Sequence, residues 1–267
     1  MLRIEQYGDV TRVHMTSWRG RLAGYDVSAY LTRDVLVDTG FPHVAAEFTR
    51  FLDANRVRGV IVTHWHEDHA GNAALAAARG LPVAISPQTL AQLGGPAAAS
   101  IRFYRRFVWG IASPVRSVVL PFASEALRVI HTPGHTADHH VVWDEERATL
   151  FAGDLFLGVK VRATFPDEDP RQLVGTLRRV AALRPERMFD AHRGTVSDPT
   201  NALLAKADWL DEIVTRIEAK IDAGWSDRAI RRHVLGRESA VGLISGGEYS
   251  KLTLVRTVRR SRVNLGL

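Results

Sequence analysis

The 267 residues carry 46% hydrophobic and 24% charged side chains, which suits one large globular domain or a domain with an appendage and excludes a disordered chain. No cysteine is present, which excludes disulfides and thiolate metal ligands, and no apolar run approaches the ~20 residues that span a bilayer. The formal net charge is +6, with 12 basic against eight acidic residues from position 200 onward and 23 against 21 before it, so the excess lies in the tail, where a basic field favours anionic partners.

The opening stretch, MLRIEQYGDV, lacks the charged and apolar regions of a signal peptide, so the expected location is the cytoplasm. The first forty residues read as short strands: TRVHMTSWRG and DVSAYLT are half-buried in pattern, and DVLVDTG is a strand ending in a turn. VAAEFTRFLDAN has helical spacing, with Val44, Phe48, Phe51 and Leu52 on one face. RGVIVTH is a short apolar strand, GNAALAAARG a helix ending at Gly80, and LPVAIS another strand. The strand–helix alternation over 34–85 predicts an α/β domain. Residues 96–112 fit the strand rhythm poorly; Ile101, Tyr104 and Val108 mark a packed face, while the arginines among aromatics in IRFYRRFVWG also suit a substrate lid or an oligonucleotide contact. SVVL, ALRVIHT, HHVVW and ATLFAGD predict four more strands, PRQLVGTLRRVAAL a helix, and RMFDAH a last strand. A long helix then follows Asp198 as N-cap and Pro199 as first helical residue and ends at Gly224, with a short helix after Ser226. The Gly/Ser-rich stretch 238–249 precedes a final basic segment, SKLTLVRTVRRSR.

The chemistry concentrates in THWHEDHAGN, residues 63–72, where three histidines and two acids fall within six positions. His64 and His66, two apart in extended chain past a strand end, point the same way, and Asp68 and His69 are expected at the start of the next helix. Four donors thus enter one crevice at the carboxyl end of a strand, and imidazole with carboxylate is the donor set of zinc, iron or manganese. Three later strand ends carry further candidates: His135 in VIHTPGHTADH, Asp154 in LFAGD and His192 in MFDAHRG. Seven donors exceed what one mononuclear site can use, whereas two metals sharing a carboxylate can use them. His139 and His140 begin a strand and read as structural.

The motifs VDTG, THWHEDHAGN, TPGHT, GD and HRG, in this order over residues 1–196, resemble the metallo-β-lactamase superfamily, and most closely its dinuclear, glyoxalase II-like branch. The resemblance implies an α/β fold, an αββα four-layer sandwich over 1–197, with a small helical, winged-helix-like appendage over 198–267. It implies that His64, His66 and His135 hold one metal, that Asp68, His69 and His192 hold the second, that Asp154 bridges them, and that Asp38 orients a ligand imidazole. The implied cofactors are two divalent ions, zinc foremost, with manganese or iron as alternatives. The implied reaction is hydrolysis of a small ester, thioester or lactone by a hydroxide bridging the two ions, with Asp68 and Asp154 as the catalytic carboxylates. Phosphodiester or nucleic-acid cleavage is the alternative, and a mononuclear iron sulfur dioxygenase the third reading. Departures are visible: GDLFLGVKVRATF lacks the Cys-Gly-Arg segment that serves glutathione in glyoxalase II, and Lys160 and Arg162 are the candidate anion contacts there. The expected partners are a small, anionic molecule and a second copy of the chain, with nucleic acid as the alternative and no membrane.

Overall fold

The computed structural model describes residues 1–95, 101–115, 124, 126–161 and 163–264. The expected strand SVVL and Arg162 lie outside the described residues. Two compact units divide the chain: Met1–His131 with Asp138–Asp154 and Met188–Val196, and Thr132–Ala137 with Leu155–Arg187 and Ser197–Leu267. The sequence places the division at 197/198; the second unit also takes in 132–137 and 155–187. Its helix Pro170–Ala181 buries Leu173, Val174 and Leu177, and this helix packs on the helix Pro199–Asp222, which buries Leu203, Ala207 and Leu210.

Both sheets belong to the first unit. One runs β1 (Leu2–Tyr7), β2 (Val10–Met15), β3 (Val27–Thr32), β4 (Val35–Val37), β5 (Gly59–Ile61) and β6 (Val83–Ala84) in that order, antiparallel up to β4 and parallel from β4 to β6. The other runs β11 (Gly194–Val196), β10 (Arg187–Asp190), β9 (Thr149–Phe151), β8 (His140–Asp144) and β7 (Leu127–His131). The two-residue period of a strand sends Val35, Val37 and Ile61 to one face, where they meet Val142, Phe151 and Phe189 of the second sheet. Tyr30 sits in this core with ring centroids 5.7 Å from Phe151 and 5.2 Å from Phe189, and its hydroxyl donates to the Asp190 carbonyl at 2.7 Å. Leu36 and Val60 face the other way, against Phe48, Phe51 and Leu52 of α2 (Ala45–Ala54), with Ala73 and Ala76 of α3 (Ala73–Ala78) in the same core.

In the first unit, α1 and α4 escape the sequence reading: α1 (Trp18–Ala23) starts inside the stretch read as a strand and α4 (Pro87–Gly94) follows β6, whereas α5 (Phe103–Val108) falls within 96–112, where Ile101, Tyr104 and Val108 stand at helical spacing. Ser17 caps α1 by accepting from the Gly20 amide, and Ser86 caps α4 by accepting from the Thr89 amide ahead of Pro87. In α5 Val108 is buried, as is Ile101 before it, and Tyr104 is half-buried. In the tail, Pro199–Asp222, Asp227–Ile230 and Lys251–Asn264 are helical as expected, and Ala240–Ile244 adds a short helix to the Gly/Ser-rich stretch. Asp198 precedes its helix in left-handed backbone (φ 47°) and caps no amide; its carboxylate instead accepts from Asn201 at 2.8 Å. Ile213 and Ile217 are buried and Trp209 is half-buried. Among the described residues, no helix is long and apolar enough to cross a membrane.

Candidate metal centre

β4 and β5 pair in parallel with Val37 opposite Ile61, so the loops that leave their carboxyl ends start side by side. Asp38, at the end of β4, adopts left-handed backbone (φ 64°), a conformation that aspartate tolerates better than most residues. Its carboxylate accepts from the Thr63 amide at 2.8 Å and the Thr63 hydroxyl at 2.9 Å, and lies 2.8 Å from His69 Nδ1. That contact fixes the proton on Nδ1 and turns the lone pair of Nε2 inward. Thr63 Oγ1 also stands 3.0 Å from His64 Nδ1. Asp68 and His69 do not begin a helix: they lie in a tight turn, with the His69 and Ala70 amides bonded to the His66 carbonyl, and α3 starts only at Ala73. The physical reason is the neighbouring loop. Thr39 Oγ1 donates to the His69 carbonyl at 2.8 Å, and Asn72 Nδ2 donates to the carbonyls of Thr39 and Phe41, so the turn bonds sideways instead of continuing along an axis.

Gly71 makes this fit possible. A methyl there would lie 2.6 Å from the Gly40 carbonyl oxygen, 2.6 Å from Pro42 Cδ and closer still to the Glu67 carbonyl, all rigid neighbours. Gly71→Ala should therefore destabilise the protein by about 1–3 kcal/mol and weaken metal retention, because it parts the Asp38 loop from the His69 loop. A thermal melt and metal content identical to wild type would contradict this account.

The remaining donors come from other strand ends. Asp154 follows β9 and Gly153, whose left-handed backbone (φ 51°) leaves no room for a side chain, since a Cβ would sit 2.8 Å from His139 Nε2. The Asp154 amide donates to that same His139 nitrogen at 3.1 Å, which aims the carboxylate. His192 follows β10; its amide and that of Arg193 donate to Asp190 Oδ1 at 2.9 Å, and its Nδ1 bonds the Asp26 carbonyl. His135 lies in the loop 132–137, where its Nδ1 is 3.7 Å from Glu168 Oε1.

Two groups of buried or half-buried donors result. Within the first unit, His64, His66 and Asp154 each offer a ligand atom, all within 4.8 Å of one another, and Asp68, His69 and His192 do the same; His135 belongs to the second unit. Asp154 addresses both groups: Oδ2 is 4.0 Å from His64 Nε2, while Oδ1 is 3.2 Å from His69 Nε2 and 3.4 Å from His192 Nε2. Asp68 Oδ2 is 3.4 Å from His192 Nε2. His69 Nε2 is buried and makes no hydrogen bond, which is how a ligand nitrogen is held for a cation. Imidazoles and carboxylates without thiolate fit zinc, manganese or iron. Of the other sequence candidates, Lys160 is exposed.

The electrostatics call for positive charge at this point. Burial opposes a charged His192, but Asp154 and Asp68 outweigh it and push its pKa up to about 9. Burial likewise opposes charge on His69, and Asp154, Asp38 and Asp68 overturn it, holding the pKa well above the histidine range. Burial would also keep Asp154 neutral, yet His69 and His192 hold its carboxyl well below the usual carboxylate range. Protons and metal ions compete for these groups. In chelator-treated protein the raised histidines stabilise the fold fully below about pH 6.5, and that contribution is lost as pH rises toward about 9. The melting temperature of such protein should fall over that window, and zinc should remove the fall; a flat profile in chelator would refute the assignment.

Several supporting residues carry no signal in the sequence. Glu67, between His66 and Asp68, is buried and forked onto Arg105 of α5, with Nε donating to Oε1 at 2.7 Å and Nη2 to Oε2 at 2.6 Å. Asp138 accepts from the Trp65 amide at 3.0 Å and the Thr89 hydroxyl at 2.6 Å, and so fixes the backbone between His64 and His66. Trp109, just past α5, packs against Tyr25 and Phe41 and lies 6.3 Å from the His192 ring. Burial, reinforced by the Asp68 carboxylate, raises the Tyr25 hydroxyl pKa. In the second unit the buried Lys206 ammonium donates to the carbonyls of Leu155 and Phe156, the two residues that follow Asp154.

The pattern described as the metallo-beta-lactamase superfamily matches residues 25–192, a span that contains Asp38 and all seven donors. The Beta-lactamase-like protein 2 homolog of Drosophila melanogaster is 28% identical over 179 residues, 63% of this chain and 57% of that protein. The Hydroxyacylglutathione hydrolase of Shewanella sp. (strain ANA-3) is 30% identical over 171 residues, 61% of this chain and 58% of that protein. The aligned part spans little more than half the length of these relatives. Among solved structures, a metallo-beta-lactamase family protein from Thermus thermophilus matches with TM-score 0.64 at 18% identity, over 94% of this chain and 91% of that one. A metallo beta lactamase from Erythrobacter litoralis matches with TM-score 0.58 at 18% identity, over 79% and 96%. At such identity the likeness is one of fold: two mixed sheets flanked by helices, the αββα sandwich, with a helical C-terminal region. With the matched pattern covering more than half of its residues, the chain belongs to the metallo-beta-lactamase superfamily.

Proposed function

We propose that the chain is a metal-dependent hydrolase that cleaves a small ester, thioester or lactone. His64, His66 and His135 would hold one divalent ion, Asp68, His69 and His192 a second, and Asp154 would be shared, with zinc the first candidate. The observation that carries this reading is the placement of Asp154, one oxygen toward His64 and the other toward His69 and His192. The Shewanella relative named for hydroxyacylglutathione hydrolysis favours a thioester, while the absence of cysteine after Asp154 separates this chain from a glutathione-specific pocket.

Bound divalent ions supply Lewis acidity and lower the pKa of water to near neutrality. The protein does the rest by position. Asp38 and Thr63 orient the imidazoles of His69 and His64, and the His139 ring orients Asp154 through its amide. Asp68 takes the proton from the attacking water and returns it to the leaving group. Trp109 and Tyr25 give the His192 side of the centre an aromatic wall. Lys160, exposed, remains a candidate contact for an anionic substrate. Cleavage of nucleic acid has weaker support, because three arginines of the last helix are engaged within the chain: Arg259 and Arg262 pair with Asp227 and Asp222, and Arg260 donates to the Glu168 carbonyl. A location in the cytoplasm and a homodimer are part of the same proposal.

Protein purified without chelator should contain close to two metal equivalents and turn over thioesters or lactones faster than bis-p-nitrophenyl phosphate. One iron per chain with oxygen consumption would replace this reading by a dioxygenase. Preferential turnover of the phosphodiester would replace it by a phosphodiesterase.

A further inference from the structure

We propose that the C-terminal helical unit carries a binding site for a diphosphate group, built by Arg228 and Arg232 beside Trp225. An open cavity of about 560 Å³ is lined by Trp225, Arg228, Ala229, Arg232 and His233, within the size range of small-ligand sites. Arg228 and Arg232 are exposed, and among the described residues neither side chain makes an ion pair or a hydrogen bond. Two like charges about one helical turn apart repel each other, a cost that a bound anion removes. The acids nearest in sequence do not supply that neutralisation. Asp227 is taken by Arg259 at 2.8 Å, and Asp222 by Arg262. Lys220 adds a third cation, its Nζ 4.6 Å from the Trp225 ring centroid, and the His233 ring stands 5.2 Å from the same indole.

The frame of this cavity is fixed. The Trp225 carbonyl accepts from Arg259 Nη2 at 3.1 Å, and its amide donates to the Lys220 carbonyl at 3.0 Å. Residues Arg231–Leu235 form a π-helical turn, wider and less tightly wound than an α-helix and a geometry that recurs at functional sites, and Arg231 ties its end by donating to the Gly236 carbonyl at 2.8 Å. A guanidinium meets a phosphate through a planar pair of N–H donors, so two free guanidiniums suit two linked phosphates better than one carboxylate. The lining is confined to residues 225–233, whereas a nucleic-acid strand needs a groove that follows its backbone. The diphosphate could reach the protein as free pyrophosphate or as part of a nucleotide, whose base has Trp225 to stack on.

Calorimetry on the full chain, both metal-loaded and chelator-treated, tests this with pyrophosphate, ADP and adenosine. Pyrophosphate and ADP should bind with sub-millimolar Kd in both preparations, and adenosine alone should not. Arg228→Gln and Arg232→Gln should each weaken binding about ten-fold or more, whereas Arg216→Gln, which removes an exposed arginine elsewhere in the same unit, should leave it unchanged. These side chains are on the surface, so circular dichroism of the variants should match wild type. ADP binding more tightly than pyrophosphate, with the difference lost in Trp225→Leu, identifies a nucleotide as the source; equal affinities identify free pyrophosphate. No binding of either probe, or binding that is insensitive to both arginine substitutions or confined to the metal-loaded protein, overturns the proposal.

Discussion

Asp154→Ala should lower hydrolysis by at least about 10³-fold and reduce metal content toward half or less, because the substitution removes the one carboxylate that faces both donor groups. It also leaves His69 and His192 without the charge that most raises their pKa. His140→Ala makes the appropriate comparison. His140 lies close in sequence to His135 and Asp154, but its Nδ1 bonds the Asp138 carbonyl and its amide bonds the Thr63 carbonyl, so only an ordinary strand contact is lost. That variant should keep its metals and most of its rate. If elemental analysis and turnover fail to separate the two, the assignment of Asp154 is wrong.

The largest loss of stability is expected from Arg105→Ala. Glu67 is 1% exposed, and Arg105 is 8% exposed and spread over the Trp65 ring at 5.5 Å. Burial raises the Glu67 pKa even with Arg105 in place, so removing the guanidinium leaves a carboxyl that must stay charged at high cost or take up a proton. Truncating one partner of a buried pair typically costs about 3–5 kcal/mol. Glu67 stands between two metal donors, so the same variant should release metal more readily. A double variant, Glu67→Gln with Arg105→Met, removes both charges and should recover much of the stability. Chemical denaturation of the single and double variants measures this, and an Arg105→Ala protein within about 1 kcal/mol of wild type would show the pair to be unimportant.

Asp154 and Glu67 differ in how far the sequence discloses them. The donors His64, His66, Asp68 and His69 are legible because they are neighbours in the chain, and their density has no common structural explanation. Asp154 and His192 are legible because each ends an apolar run, where a strand must release its chain. Glu67 reads as a spacer, since its partner lies 38 positions away and nothing in the sequence pairs the two. Asp138 and His139 act through the backbone amides of Trp65 and Asp154, and hydrogen bonds to main chain leave no mark in composition. The short helices α1 and α4 rest on single serine caps, too local a signal to outweigh the apolar residues around them. Asp198 shows the opposite error: the residue type suits a cap, but left-handed backbone turns the carboxylate onto Asn201.

The bond from the Tyr30 hydroxyl to the Asp190 carbonyl joins residues 160 positions apart, and the core around it mixes residues 10 to 61 with residues 127 to 189. Such pairing is slow to form, because the chain must close long loops before any contact rewards it. It also sets an order of events on the ribosome. At about 5–20 residues per second, the turn bearing His64 to His69 emerges roughly 6–25 s before His192 does. Through that interval four donors lie close together on a nascent chain that has no Asp154 or His192 to complete their coordination. Metal captured then would be held by an incomplete set and readily exchanged. The donor set would be complete only once the chain that carries Asp154 and His192, after β9 and β10, has been made.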